Sequence, residues 1–129
     1  MEGRDNHRRS LGILGEDIAC DFLKDRGHVI LERNWRAGHL EIDIITLDAD
    51  GIHFVEVKTR QKNIQAPPQM NVDHGKQSRI TKAALRFLKT GKGVPQGDHE
   101  CHFDIVAVTF GKDTFSIDWF PQAYIPLYL

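Results

Sequence analysis

The chain has little cysteine, no long apolar run and almost no net charge, and each shortage excludes something. Cys20 and Cys101 are its two cysteines, too few and too far apart for a disulfide framework or a Cys-x-x-Cys redox pair. Both are expected to stay reduced, with Cys20 packed inside. No apolar stretch approaches the roughly 20 residues that cross a bilayer, and the charged start from Met1 to Ser10 lacks an apolar signal core. The expected setting is therefore the cytoplasm, away from membranes. No Gly-x-Ser-x-Gly, P-loop or dinucleotide fingerprint occurs, which removes the common serine-hydrolase, nucleotide-hydrolase and dehydrogenase classes. A net charge of −1 also argues against a uniformly basic nucleic-acid binder.

The charge is unevenly spread. Between Val57 and Gly97 there are nine basic residues against Asp73 alone, a net +8, which leaves −9 for the rest of the chain. One basic half on a nearly neutral protein is a directed footprint for a polyanion, although a solvated helix face would carry the same charges. The 129 residues, 40% hydrophobic and 27% charged, suffice for one domain with one core. We expect a single domain over residues 1–129, with residues 1–9 as a flexible tail.

Apolar residues Leu11, Leu14, Ile18, Ala19, Phe22 and Leu23 repeat with a helical period, which predicts a helix from Leu11 to Arg26 with Ser10 as N-cap and Gly27 as the stop. Glu16 falls at the edge of that apolar stripe, within reach of a sheet the helix would cover. Three strands follow as a meander, Val29–Trp35, Leu40–Leu47 and Ile52–Arg60. Residues 61–73, with Pro67-Pro68, read as a mobile loop. A second helix is predicted over Lys76–Lys89, capped by Asp73, with an apolar stripe of Ile80, Ala83, Ala84, Phe87 and Leu88 and a basic row of Arg79, Lys82, Arg86 and Lys89. Phe103–Phe110 is a strongly apolar strand with Asp104 near its start, and Thr114–Phe120 adds an edge strand.

The chemistry lies in charges written into apolar strands. Side chains alternate along a strand, so Glu56 and Lys58 share one face, with Val55, Val57 and Thr59 on the other. A two-residue turn at Ala49-Asp50 makes paired residue numbers sum to 99, which sets Asp43 opposite Glu56 and Glu41 opposite Lys58. A turn at Asp50-Gly51 makes the sum 101 and sets Asp43 opposite Lys58. Either register keeps Glu41, Asp43, Glu56 and Lys58 on one face. Two carboxylates about 5 Å apart at Cβ repel unless a hard cation sits between them. A salt-bridged cluster on an exposed sheet face, with Glu41 pairing Lys58, is the competing reading.

An acid on one strand and Glu-x-Lys on the next resembles the PD-(D/E)xK nuclease superfamily. The wider set of Gly15-Glu16-Asp17, Leu31-Glu32-Arg33-Asn34-Trp35-Arg36, Glu41-Ile42-Asp43, Phe54-Val55-Glu56-Val57-Lys58-Thr59-Arg60, Lys76 and Phe103-Asp104 resembles the bacterial, poorly characterised YraN family. Leu40 and His102 depart from the Gly and Arg usual in that family. The resemblance implies an α/β, restriction-endonuclease-like fold related to Holliday-junction resolvases: helix, three-stranded meander, helix and strand, in a single mixed sheet flanked by helices. It also implies Mg²⁺ or Mn²⁺ held by Asp43, Glu56 and the Val57 carbonyl, with Lys58 and Glu16 completing the catalytic set, and a homodimer.

The function expected is metal-dependent hydrolysis of DNA phosphodiesters, with branched structures among the candidate substrates and Arg60, Lys76, Arg79, Lys82 and Arg86 contacting nucleic acid. A non-catalytic nucleic-acid-binding module is the alternative. A protein-interaction adaptor using Trp119, Phe120, Tyr124 and Tyr128 is a third. Among seven histidines, the group His99, Cys101 and His102 fits no closed zinc spacing and reads as loop and strand-end residues, and Asp104 as a strand-end hydrogen-bond acceptor.

Overall fold

Turn chemistry and alternating apolar residues set the frame. A computed structural model describes residues 2–62, 74–90 and 92–124, with side chains from residue 6 onward. In chain order it contains α1 (Glu2–Asp25), β1 (Val29–Ala37), β2 (Leu40–Asp48), β3 (Gly51–Gln61), α2 (His74–Thr90), β4 (Cys101–Phe110) and β5 (Phe115–Phe120). The five strands form one sheet in the order β1-β2-β3-β4-β5. Every neighbouring pair is antiparallel except β3 and β4, which run parallel through the α2 crossover. This is an α/β fold with a single mixed sheet flanked by two helices, consistent with the restriction-endonuclease-like arrangement.

The β2–β3 hairpin has the register that sums to 99: Asp48 pairs with Gly51, Thr46 with His53 and Ile44 with Val55. Asp48 Oδ1 accepts from the Asp50 and Gly51 N–H groups at 2.9 and 3.2 Å, an Asx turn that fixes the tight connection. Gly51 has φ +141°, and a Cβ there would lie 2.2 Å from the Glu100 carbonyl oxygen. That contact lets Ile52 N–H donate to Glu100 O at 2.8 Å and start the β3–β4 pairing.

The sheet separates two packed layers. On one face α2 lays Ile80, Ala83, Ala84 and Phe87 against Ile42, Ile45, Ile52, Phe54, Phe103 and Ile105. On the other, α1 lays Ala19, Cys20 and Leu23 against Ile44, Val55, Val106 and Val108. Helix α1 ends at a left-handed glycine, Gly27 with φ +91°. Gly27 N–H donates to Lys24 O and His28 N–H to Leu23 O, both at 3.0 Å, the Schellman arrangement that stops a helix and aims the next residue.

Two expectations need correction. Residues 2–9, expected as a tail, continue α1, so Ser10 lies inside the helix and caps nothing. A stretch that is polar all round offers no apolar period to detect. Gln61 belongs to β3 and Lys62 to the turn after it; residues 63 to 73 of the expected loop, and with them the Asp73 cap, lie outside the described residues. Tyr128 lies outside them as well.

Candidate functional site

The β2–β3 ladder stops at Ile44–Val55, and past that point the strands fork. In the fork, Asp43 Oδ2 accepts a hydrogen bond from the Val57 N–H at 2.9 Å, replacing the cross-strand bond that the fork removes. A strand residue turns its N–H and C=O to the same side, so the Val57 carbonyl also faces the gap beside Asp43. Glu56, two residues after Phe54, points to the α2 face. There Glu41, Asp43 and Glu56 line an open groove of about 240 Å³ together with His39, Lys76, Arg79 and Ile80. The three acids expected on one face thus line one groove, while Lys58, expected with them, is not among its lining residues.

Electrostatics mark Asp43. Burial, and then the charge of Glu56, push its carboxyl up from 3.8 to about 7, against the lowering effect of the Val57 hydrogen bond. Lys76, in the first turn of α2, ion-pairs with Glu56. Lys58 is held below the usual lysine range by burial and then by Lys76, with Glu56 opposing; it stands within electrostatic reach of both. Glu41 pairs with Arg36 at 3.6 Å.

The other expected residues are distributed around this centre. Glu16 lies on α1, where its Oε2 accepts from Asn34 Nδ2 at 3.2 Å and stands 3.7 Å from Arg33; it still contributes to raising Asp43. Gly15 allows that approach, because a Cβ there would lie 2.3 Å from Thr59 Oγ1. Arg79 lines the groove, while Lys82 and Arg86 are exposed further along α2 and Arg60 is half-buried on β3. A larger cavity of about 520 Å³, lined by His7, Leu11, Lys62, Phe110 and Lys112 among others, has no carboxylate in its lining.

Sequence reasoning missed a second polar cluster, on the α1 face at the far end of β2. His53 Nδ1 is 2.7 Å from Asp104 Oδ2, and its Nε2 is 2.8 Å from Asp48 Oδ1. His28 Nδ1 is 2.7 Å from Thr46 Oγ1, and its Nε2 is 3.2 Å from Asp48 Oδ2. Asp104 is fully buried, and its Oδ1 accepts from the Gln122 N–H at 2.9 Å. His28, Asp48 and His53 each offer one donor atom within 4.8 Å of the others, a group that could hold a metal ion.

Burial pushes His28 down, helped by His53. Burial also opposes charge on His53, but its bonds to Asp104 and Asp48 outweigh that and raise it. Asp48 ends up lowered, because hydrogen bonds from His53 and the Asp50 N–H overcome desolvation. His102, expected as a strand-end residue, is buried and stacks on His53 with ring centroids 4.7 Å apart. The available signal was His53 itself, a lone polar side chain within the apolar run Ile52–Val55.

Comparison with known proteins identifies the chain's relatives. The profile described as "Uncharacterised protein family UPF0102" matches residues 15–108. A UPF0102 protein of Geobacter metallireducens is 41% identical over 118 residues, covering 92% of this chain and 94% of that protein. One from Bacteroides thetaiotaomicron is 37% identical over 116 residues, covering 90% and 93%. One from Oleidesulfovibrio alaskensis is 45% identical over 98 residues, covering 76% of this chain and 47% of that protein. The matched span takes in α1 from Gly15, the forked strands and both polar clusters as far as Asp104, and this chain belongs to the bacterial UPF0102, or YraN, family.

Proposed function

We propose that the protein is a metal-dependent nuclease that hydrolyses phosphodiester bonds in DNA at the groove between the β2–β3 fork and α2. The carrying observation is the convergence of Asp43 and Glu56 in an open groove bounded by Lys76 and Arg79. Asp43 and Glu56, with the Val57 carbonyl, would hold Mg²⁺ or Mn²⁺. The fit is chemical: hard oxygen donors from adjoining strands meet, and the Asp43 carboxylate, disfavoured first by burial and then by the charge of Glu56, would be stabilised by a cation. When bound, such an ion supplies a nucleophile at neutral pH and offsets phosphate charge.

The chain's own residues do the rest. Lys76 neutralises Glu56 and stands where it can turn to a phosphate oxygen. Arg79 extends the positive wall, and Lys82 and Arg86 continue it along α2 as positioning contacts to the backbone. Lys58 shares the strand face of Glu56, and its lowered pKa favours a role in orienting water or stabilising developing negative charge. Glu16, held by Arg33 and Asn34, acts on Asp43 through space.

The test is a panel of linear, single-stranded, flapped and four-way DNA substrates with Mg²⁺ or Mn²⁺, run with wild type, Glu56→Ala and Lys58→Ala. Cleavage by wild type alone, with substrate binding retained by both variants, is the expected result. Equal cleavage by all three overturns the proposal. Binding that persists without divalent ions, with no substrate cut, favours the non-catalytic module instead.

A further inference from the structure

We propose that His28, Asp48 and His53 bind one transition-metal ion of the zinc class, at a site separate from the carboxylate groove. The two locations share β2 but not a face. Asp43 lines the groove with Lys76, Arg79 and Ile80 of α2, whereas Asp48 meets His28, just past the end of α1, and five residues of strand set the two roughly 16 Å apart along its length. The first faces α2 and the second faces α1, so this inference stands independently of the nuclease reading.

Three observations carry it. The first is the donor geometry. The Asp48 carboxylate is 2.8 Å from His53 Nε2 and 3.2 Å from His28 Nε2. Ligands about 2.0–2.1 Å from a tetrahedral zinc ion are about 3.3 Å from one another. These contacts fall on the two different oxygens of Asp48, and one donor atom from each of the three side chains lies within 4.8 Å of the others, close enough for a small closure onto one ion, with a fourth position left for water on the partly exposed Asp48 side.

The second is what holds the rings. A metal-binding histidine normally commits its other nitrogen to an oxygen partner, which fixes ring orientation and tautomer. His53 gives Nδ1 to Asp104, and His28 gives Nδ1 to Thr46 Oγ1, both at 2.7 Å. With one proton on each Nδ1, both Nε2 lone pairs converge at Asp48. Asp48 is pinned in turn by the Asp50 and Gly51 N–H groups.

The third is charge. Asp48 and the fully buried Asp104 bring two negative charges into a region that also buries three histidine rings. Neutral His28 and His53 around a dication bring the cluster to zero, the favourable state for a site with little solvent. Two imidazoles and one carboxylate select zinc-class ions over Mg²⁺. Bound there, the ion would tie the end of α1, the β2–β3 turn and β3 into one clasp.

The experiment uses the full chain, stripped with chelator, dialysed, and reloaded with Zn²⁺ or with Mg²⁺. Bound metal is measured after gel filtration, along with the midpoint of thermal unfolding. Wild type should retain one Zn²⁺ per chain and unfold at a higher temperature with Zn²⁺ than with Mg²⁺. Asp48→Asn, which keeps an acceptor for the hairpin N–H groups, and His53→Gln should each lose stoichiometric zinc and the zinc-dependent shift. Asp104→Asn should weaken zinc about 10–100-fold, as loss of a partner behind a ligand does. Glu56→Gln should retain the ion. A wild-type chain that holds no zinc, or zinc that stays in Asp48→Asn and His53→Gln, or leaves with Glu56→Gln, overturns the assignment. Should a variant fail to fold, Co²⁺-loaded wild type decides: intense visible bands of a four- or five-coordinate ion support the site, and the weak spectrum of hydrated Co²⁺ refutes it.

Discussion

Asp43 has the clearest single-residue signature. Its folded pKa, about 7, lies above the ordinary 3.8, so the folded state holds this proton more tightly than the unfolded chain. The associated stability is complete below the unfolded value and is lost as pH rises through about 7. In chelator, the unfolding free energy of wild type should therefore fall between about pH 4 and pH 7 relative to Asp43→Asn, and the variant should be the more stable protein at pH 8. Urea titrations across that range measure it; parallel pH profiles would contradict the assignment. A divalent ion that binds the carboxylate must displace the proton, so apparent Mg²⁺ or Mn²⁺ affinity should rise with pH over the same window.

This residue also shows how far sequence carries. That Asp43 and Glu56 share a face follows from turn length and strand parity, both local. That the ladder opens beside them, so that Asp43 bonds the Val57 N–H, depends on how β2 and β3 diverge, which no local pattern encodes. The missed cluster follows the same rule. Asp48 and His53 flank one hairpin turn, but His28 and Asp104 come from separate stretches, and only the closed sheet brings them to that pair.

At the scale of elements, the contact between α1 and β3 depends on Gly15. Alanine would ordinarily gain about 0.5–1 kcal/mol inside a helix, yet its Cβ would press on Thr59 Oγ1 at 2.3 Å. Gly15→Ala should therefore destabilise, and Thr59→Ala should relieve much of that loss in the double variant. A double-mutant cycle in denaturant reads this coupling; additive effects would show that the helix shifts freely.

The strands were legible to within a residue or two, because alternation and turns set their limits. Helix α1 was legible only from Leu11 onward, where an apolar stripe exists. Helix α2 gave both its faces to inspection, and its basic row predicts a graded response. Changing Arg79, Lys82 or Arg86 singly to Ala should weaken DNA binding without altering sequence preference, each lost phosphate contact reducing the salt slope by about 0.9. Titrations at several salt concentrations test it; an unchanged slope would place the DNA elsewhere.

Across the whole molecule, one sheet separates two apolar layers, and the same strands supply both. No helix among the described residues is long and apolar enough to cross a membrane. Phe87 belongs to the α2 layer and Leu23 to the α1 layer, each fully buried. Phe87→Ala and Leu23→Ala should each cost roughly 2–5 kcal/mol and move a single transition, since neither layer persists without the shared sheet. Two separated transitions in calorimetry would show layers that melt independently.

The hydrogen bond across the fork has a practical consequence for dissecting the groove. Alanine scanning would overstate the chemical share of Asp43, because truncation strips a ligand and at the same time leaves the Val57 amide without its acceptor. Asparagine keeps a carbonyl oxygen for that amide and removes only the charge. The gap in activity between the two substitutions would then separate scaffold from chemistry at one position.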